Sequence, residues 1–488
     1  MLTTGTRLRS IDAAGRPRYS LNQSIVAPAS AVRYNLIVQL IGVACVITLP
    51  FWTWALFFSS AYYEYSVALV LVPFLFLLNL LLVMRAAGRD PFLRRVLPVA
   101  LVLKLAAAGT YLWTVFHVYD MASDMVIYWN RGELIATDLL RYGHWTTLQP
   151  FWSSNFIYML TGLIFAATTV SLPTAMVIYA LAAFWGQYLF YRTFVLVFPE
   201  GDHKLAALLV FFLPSIVYWT SAISKDAAIL FFLGVAAYGF ARVQRRVSPG
   251  AFLLLLVGLG GVMLVRPHIA AMLGIAFVLP YLVGKNLQGV SGTLGKILGV
   301  PLVLGSTVWL ARQAQSFLKM ETVSQASSIL EKVAEANQTG GSAIAVSGSL
   351  PYRLVNVPFL FFRPWPWEVH SLQSVVAALE GLLLLWIFVR RRRDLYAAVR
   401  NWRNKPFVLF VLLFAFQFSV VMSLAITNFG LLTRERVMLL PFAMMLFCTR
   451  AAPAAARQSA VPQAGWRPAA APASPPLPAY RNHKVPTR

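Results

Sequence analysis

The chain has 488 residues, of which 59% are hydrophobic and only 12% charged, and its mean hydropathy is +0.68; soluble chains carry about 25% charged residues. A water-soluble single domain is excluded, and a polytopic membrane protein is implied. The formal net charge of +24 has to be weighed against topology before it is taken as a sign of nucleic-acid binding.

Residues 1–33 are polar and irregular and carry Arg7, Arg9, Arg16, Arg18 and Arg33 ahead of any apolar run, which predicts a cytoplasmic tail and not a cleavable signal peptide. Apolar runs between breakers predict spans near 34–60, 66–84, 96–118, 174–197, 205–222, 226–241, 251–265, 269–284, 297–311, 372–389, 406–427 and 437–449, since a crossing helix needs roughly 20 apolar residues. The expected fold class is all-α, with about 12 transmembrane helices between residues 34 and 449. Residues 451–488 are rich in Ala and Pro and are expected to form a disordered cytoplasmic tail, because that composition cannot bury a core.

Lys and Arg are retained on the cytoplasmic side. The basic clusters are the N-terminal five, Arg85/Arg89/Arg94/Arg95, Arg242/Arg245/Arg246, Lys285/Lys296, Arg390 to Arg393 with Arg400/Arg403/Lys405, and the tail from Arg450; together they hold 27 of the 41 cations. One orientation places them all inside, with both termini cytoplasmic in a cell inner (plasma) membrane and loops 119–154, 312–371 and 428–436 outside. The charge thus reads as topology, with the lipid bilayer and its anionic inner leaflet as partners. Nucleic acid is not expected, because no stacking motif or groove-reading helix accompanies the charge. Segment 155–170 has external neighbours on both sides and is expected to be a re-entrant or interfacial helix; the alternative is that it spans and a short candidate within 251–311 does not.

Cys45 and Cys448 are the only cysteines and both lie in apolar runs, so no disulfide framework or thiolate site is available. No cofactor is expected; a divalent metal is left open. The chain has no glycine loop of the nucleotide-binding type.

The first external loop reads Tyr119-Asp120-Met-Ala-Ser-Asp124 and continues through Tyr128, Arg131, Glu133 and Asp138. A helix starting at Asp124 would place Tyr128, Arg131 and Asp138 within about 40° of it and Glu133 on the opposite side. A carboxylate among aromatics and an Arg is a candidate general base; the alternative is a solvated amphipathic helix with an intrahelical ion pair. Further along, Pro214-Ser215, Trp219-Thr-Ser221 and Ser224-Lys225-Asp226 lead into an apolar run. Ser224 is a natural N-cap with Asp226 in the first turn, yet Lys225 and Asp226 also sit where a lipid headgroup would lie. Arg266 interrupts two apolar runs, and Arg434-Glu435-Arg436 follows Asn428-Phe-Gly430. Arg266, Arg434 and Arg436 are expected to converge with Lys225 on one anionic site, since Arg binds phosphate bidentately.

The loop carboxylate, the short Tyr-rich helix after it and the Pro-Ser…Trp-x-Ser…Lys-Asp helix pair resemble membrane glycosyltransferases of the GT-C type over roughly residues 96–285. Two extra spans precede the loop, the adjacent acidic pair common in that superfamily is absent, and Gln149-Pro150-Phe151-Trp152 stands where a His-Pro-Pro type segment often closes the loop. The resemblance implies a polyprenyl-phosphate-linked sugar as donor, a glycan acceptor, and Asp124 as the catalytic base with Asp120 in reserve. The expected function is sugar transfer on the external face in cell-envelope or exported polysaccharide synthesis. The alternatives are a polysaccharide polymerase or ligase using a diphosphate-linked glycan, which Arg353, Arg363 and the Arg434 segment also resemble, and a transporter.

Overall fold

A computed structural model of the chain describes residues 65–246, 248–283, 361–425 and 428–450, together with a few isolated positions outside these ranges. Among the described residues the architecture is helical, apart from a two-residue antiparallel pairing of Ser10–Ile11 with Pro17–Arg18 in the N-terminal segment. The helices are α1 (Tyr65–Ala87), α2 (Leu93–His117), α3 (Asp124–Tyr142), α4 (Ser154–Thr168), α5 (Leu172–Val197), α6 (His203–Phe212), α7 (Pro214–Trp219), α8 (Lys225–Arg245), α9 (Pro249–Val265), α10 (Pro267–Val283), α11 (Leu372–Arg400), α12 (Pro406–Ala425), α13 (Phe429–Glu435) and α14 (Leu440–Phe447).

Six of these, α1, α2, α5, α8, α11 and α12, are long and apolar enough to cross a membrane. Apart from a few isolated positions, the spans expected at 34–60 and 297–311 lie outside the described residues, as does the whole tail 451–488. Burial grades the six: 78% of the apolar window is buried in α5 and α8, but 22% in α1. Helices α5 and α8 form the centre because small residues let their backbones meet. A Cβ on Gly234 would lie 2.5 Å from the Gly186 carbonyl oxygen, and one on Gly186 would lie 2.6 Å from that of Leu230. Around them Phe240, Phe277, Phe410 and Phe442 join α8, α10, α12 and α14 through ring contacts of 4.3 to 5.4 Å.

Three expected elements differ. The span predicted at 205–222 is broken, because Pro214 supplies no N–H and drives Leu213 into an extended conformation. The broken ends are held by charges from other helices. The Ser215 amide and hydroxyl donate to Glu380, both at 2.7 Å, and Lys104 Nζ donates to the carbonyls of Ile216 and Val217 at 3.3 Å and to Thr220. The span expected at 372–389 is longer: α11 runs on through the basic cluster to Arg400, since no Gly or Pro interrupts it between 389 and 400. The span expected at 437–449 contains only the eight-residue α14, which a 3-10 turn at Arg436–Met438 separates from α13.

Segment 155–170 forms α4, whose 15 residues measure about 22 Å against a hydrocarbon core of about 30 Å. It folds back on α3, where Gly132 and Gly162 leave room for Thr161 and Ile135. The hairpin ends at Thr169 and Val170, both with positive φ, a strained conformation for β-branched residues.

Candidate functional site

Charged side chains from four separate stretches of sequence meet at the Asp124 end of the bundle. Ser123 caps α3 and Ser224 caps α8, accepting from the amides of Met125 and Ala227, so Asp124 and Asp226 both occupy first turns, where the helix dipole favours negative charge. Asp226 is 2% exposed. Its Oδ1 accepts from Arg266 Nη2 at 2.8 Å and its Oδ2 from Arg434 Nε. Arg434 reaches outward through Nη1 to Asp124 Oδ2 at 2.7 Å, and Arg266 Nη1 donates to Glu435. The result is an alternating chain, Asp124–Arg434–Asp226–Arg266–Glu435.

Lys225 lies within electrostatic reach of Asp124, Asp226, Glu435 and Arg266; its Nζ donates to Ser153 Oγ at 3.0 Å, and no carboxylate is paired with it among the described residues. Ser153 has φ of 61° and its amide donates to the Leu264 carbonyl at 2.7 Å, which fastens the α3–α4 connection beside Arg266. Asp124 is the outermost member, with its side chain 52% exposed. Its Oδ1 has no hydrogen-bond partner among the described residues, so the carboxylate keeps one oxygen for an incoming group.

The predicted residues divide. Asp124, Lys225, Asp226, Arg266 and Arg434 come together; Arg436 does not. Residues two apart leave a helix on different sides. Arg436 therefore turns into the bundle, where Nη2 donates to Glu380 at 2.8 Å and Nη1 to the Arg363 and Phe361 carbonyls at 2.7 and 3.2 Å. The expected convergence of three arginines is corrected to two, each already matched by carboxylates. Tyr128 is buried under Asp124 and packs on Tyr158 at 5.6 Å; burial, and then the Asp124 charge, push its phenol above the usual range. Arg131 is exposed and makes no ion pair among the described residues. Asp138 accepts from Thr146 at 3.1 Å and lies 14 residues, or about 21 Å, along the helix from Asp124. A shared helical face aligns directions, not axial positions, so Asp138 stands apart from the site. Asp120 is exposed, in a left-handed turn with φ of 47°.

Sequence reasoning missed Glu435 and Ser153 as members. Glu435 had one signal, a carboxylate between two arginines; Ser153 had none, because its part depends on a loop reaching α9. Tyr111 lies within electrostatic reach of Arg434 and packs on Tyr218 at 5.1 Å. Gln373 joins this wall, accepting from Tyr119 at 2.6 Å and donating to Tyr218 at 3.2 Å. Stacked Trp365 and Trp367 project beside α13, their segment tied down by the Arg363–Glu368 pair and by Arg363 over the Phe429 ring at 5.1 Å.

Among the described residues no cluster of three His, Cys, Asp or Glu is arranged to hold a metal. The geometry offers a half-exposed carboxylate oriented by an arginine, a neighbouring ammonium, and an aromatic, amide-bearing wall. No family model, curated protein or solved structure matches this chain.

Proposed function

We propose that the protein is a membrane glycosyltransferase of GT-C type that moves a sugar from a polyprenyl-phosphate carrier to a glycan acceptor, with the Asp124 end on the external face of the cell inner membrane and both termini cytoplasmic. The observation that carries this reading is the half-exposed Asp124 carboxylate, held by Arg434 on the buried Asp226, with Lys225 beside it. Asp124 Oδ1 takes the proton of an acceptor hydroxyl as that oxygen attacks the anomeric carbon. The bond from that carbon to the carrier phosphate breaks, its electron pair leaves on the phosphate, and the sugar configuration inverts. Lys225 offsets the charge of the departing phosphate as a point cation, and Arg434 is free to join it once Asp124 is protonated and its ion pair weakens.

Lys225, with no carboxylate paired to it among the described residues, and the Arg434 Nη1 that Asp124 releases on protonation are two donors that also suit a diphosphate, which keeps the polymerase or ligase reading as the second. The test is mass spectrometry of lipid-linked glycans and envelope polysaccharide in cells lacking the protein and in cells carrying Asp124→Asn. Accumulation of a monophosphate-linked sugar in both strains is expected. A diphosphate-linked glycan accumulating instead selects the second reading, and unchanged glycans reject both.

A further inference from the structure

The four consecutive arginines of α11 divide between two faces. Arg391 turns inward to Asp202 at 2.8 Å, with Asp394, the only acidic residue between 386 and 405, at 3.6 Å. Arg390, Arg392 and Arg393 are exposed and, with Trp386 and Val389, line a cavity of about 410 Å³. Among the described residues these three form no ion pair; Arg392 donates to the Val389 carbonyl of its own helix at 3.2 Å.

Toward the start of α11 the same outer surface continues as exposed Leu379, Leu382 and Leu383, and Trp386 is 61% exposed. Over about 21 Å of helix, from Leu379 to Arg393, the surface passes from aliphatic to indole to guanidinium. That order matches acyl chain, ester level and phosphate in one leaflet. Unpaired guanidinium groups at that depth favour an anionic phosphodiester, which they can grip through two N–H bonds. We propose that this face of α11 binds the phosphate headgroup of an anionic phospholipid whose chains lie along Leu379 to Trp386. The inference does not depend on the reaction proposed above.

The test uses the purified full chain in nanodiscs of phosphatidylcholine with or without phosphatidylglycerol, with native mass spectrometry reporting retained lipid. The wild type is expected to retain phosphatidylglycerol preferentially. The triple variant Arg390→Gln/Arg392→Gln/Arg393→Gln is expected to lose that preference by about tenfold or more, while Arg400→Gln/Arg403→Gln, which alters exposed cations outside the cavity, keeps it. The triple Arg→Lys variant preserves the charge that governs insertion and is expected to bind several-fold more weakly, since an ammonium lacks the planar fork. It carries the test if the Gln variant does not insert. Unchanged preference in the Gln triple, or in the Lys triple where only that one inserts, overturns the proposal. So does an equal loss in the Arg400/Arg403 control, which would mean diffuse attraction. Displacement of the lipid by an equal concentration of soluble glycerol phosphate would overturn the assignment to a lipid.

Discussion

Each end of the bundle has a buried aspartate gripping two arginines, and the two grips differ in what lies beyond them. Asp202 accepts from Arg391 at 2.8 Å and Arg450 at 2.6 Å, caps α6 through the Leu205 amide, and uses its own N–H to hold the Cys448 carbonyl. These interactions tie the start of α6 to the interior of α11 and to the residues just after α14. Asp226 accepts from Arg266 and Arg434, but those arginines lead on to Glu435 and to the half-exposed Asp124. A similar ion triad is a fastener where its arginine leads no further than a neighbour on its own helix, as Arg391 does to Asp394, and a candidate site where one branch crosses to another helix and ends in a carboxylate with a spare oxygen.

The comparison can be broken most forcefully at Asp226. Asp226→Asn leaves two buried guanidinium groups under-compensated and is expected to cost about 3–5 kcal/mol, read as a large fall in thermal stability in detergent together with loss of transfer. A variant as stable as the wild type would mean that the triad does not hold the site together. Next comes Asp124→Asn, expected to lower transfer by about 10²–10⁴-fold while stability moves by under about 1 kcal/mol, because its ion pair is half-exposed. Full activity in that variant removes Asp124 as base.

At the opposite end, Asp202→Asn is expected to cost about 1–3 kcal/mol without altering the activity of the protein that remains folded. Burial alone would raise the Asp202 carboxyl, but the hydrogen bond from Arg450, the Leu205 amide and the charges of Arg450 and Arg391 together hold it below the usual carboxylate range. A carboxylate depressed in the folded state contributes stability above its unfolded pKa of about 3.9 and loses it as pH falls through the folded value. Thermal unfolding followed from pH 7 downward should therefore show a loss beginning near pH 4 that is smaller in Asp202→Asn; identical acid profiles would show that the clamp contributes nothing. The smallest effects belong to Asp138→Asn and Glu133→Gln, each expected within about 0.5 kcal/mol in stability and near wild type in transfer. Loss of transfer on changing Asp138 would move the site away from Arg434.

The apolar runs and the serine caps were legible from local chemistry, whereas the break at Pro214 inside the run 205–222 was not. Apolar length marked most of the helices, Ser224 marked the start of α8, and the apolar run at 155–170 marked the 15-residue α4. Helical periodicity correctly put Tyr128 under Asp124, but it also grouped Asp138, because a face repeats along the whole helix while a site occupies one turn.

What the sequence by itself determined is membrane character, helix placement and the residue types available for a polar site, since these depend on hydrophobicity and hydrogen bonding within one stretch of chain. Only the tertiary structure decided which charges meet: that Arg434 joins Asp124 to Asp226 across the chain while Arg436 turns to Glu380, and that Arg391 faces Asp202 while its neighbours stay exposed. The reason is physical. A buried charge must find a partner wherever packing brings one within reach, and that partner is chosen by how helices rotate against one another, which no local pattern encodes.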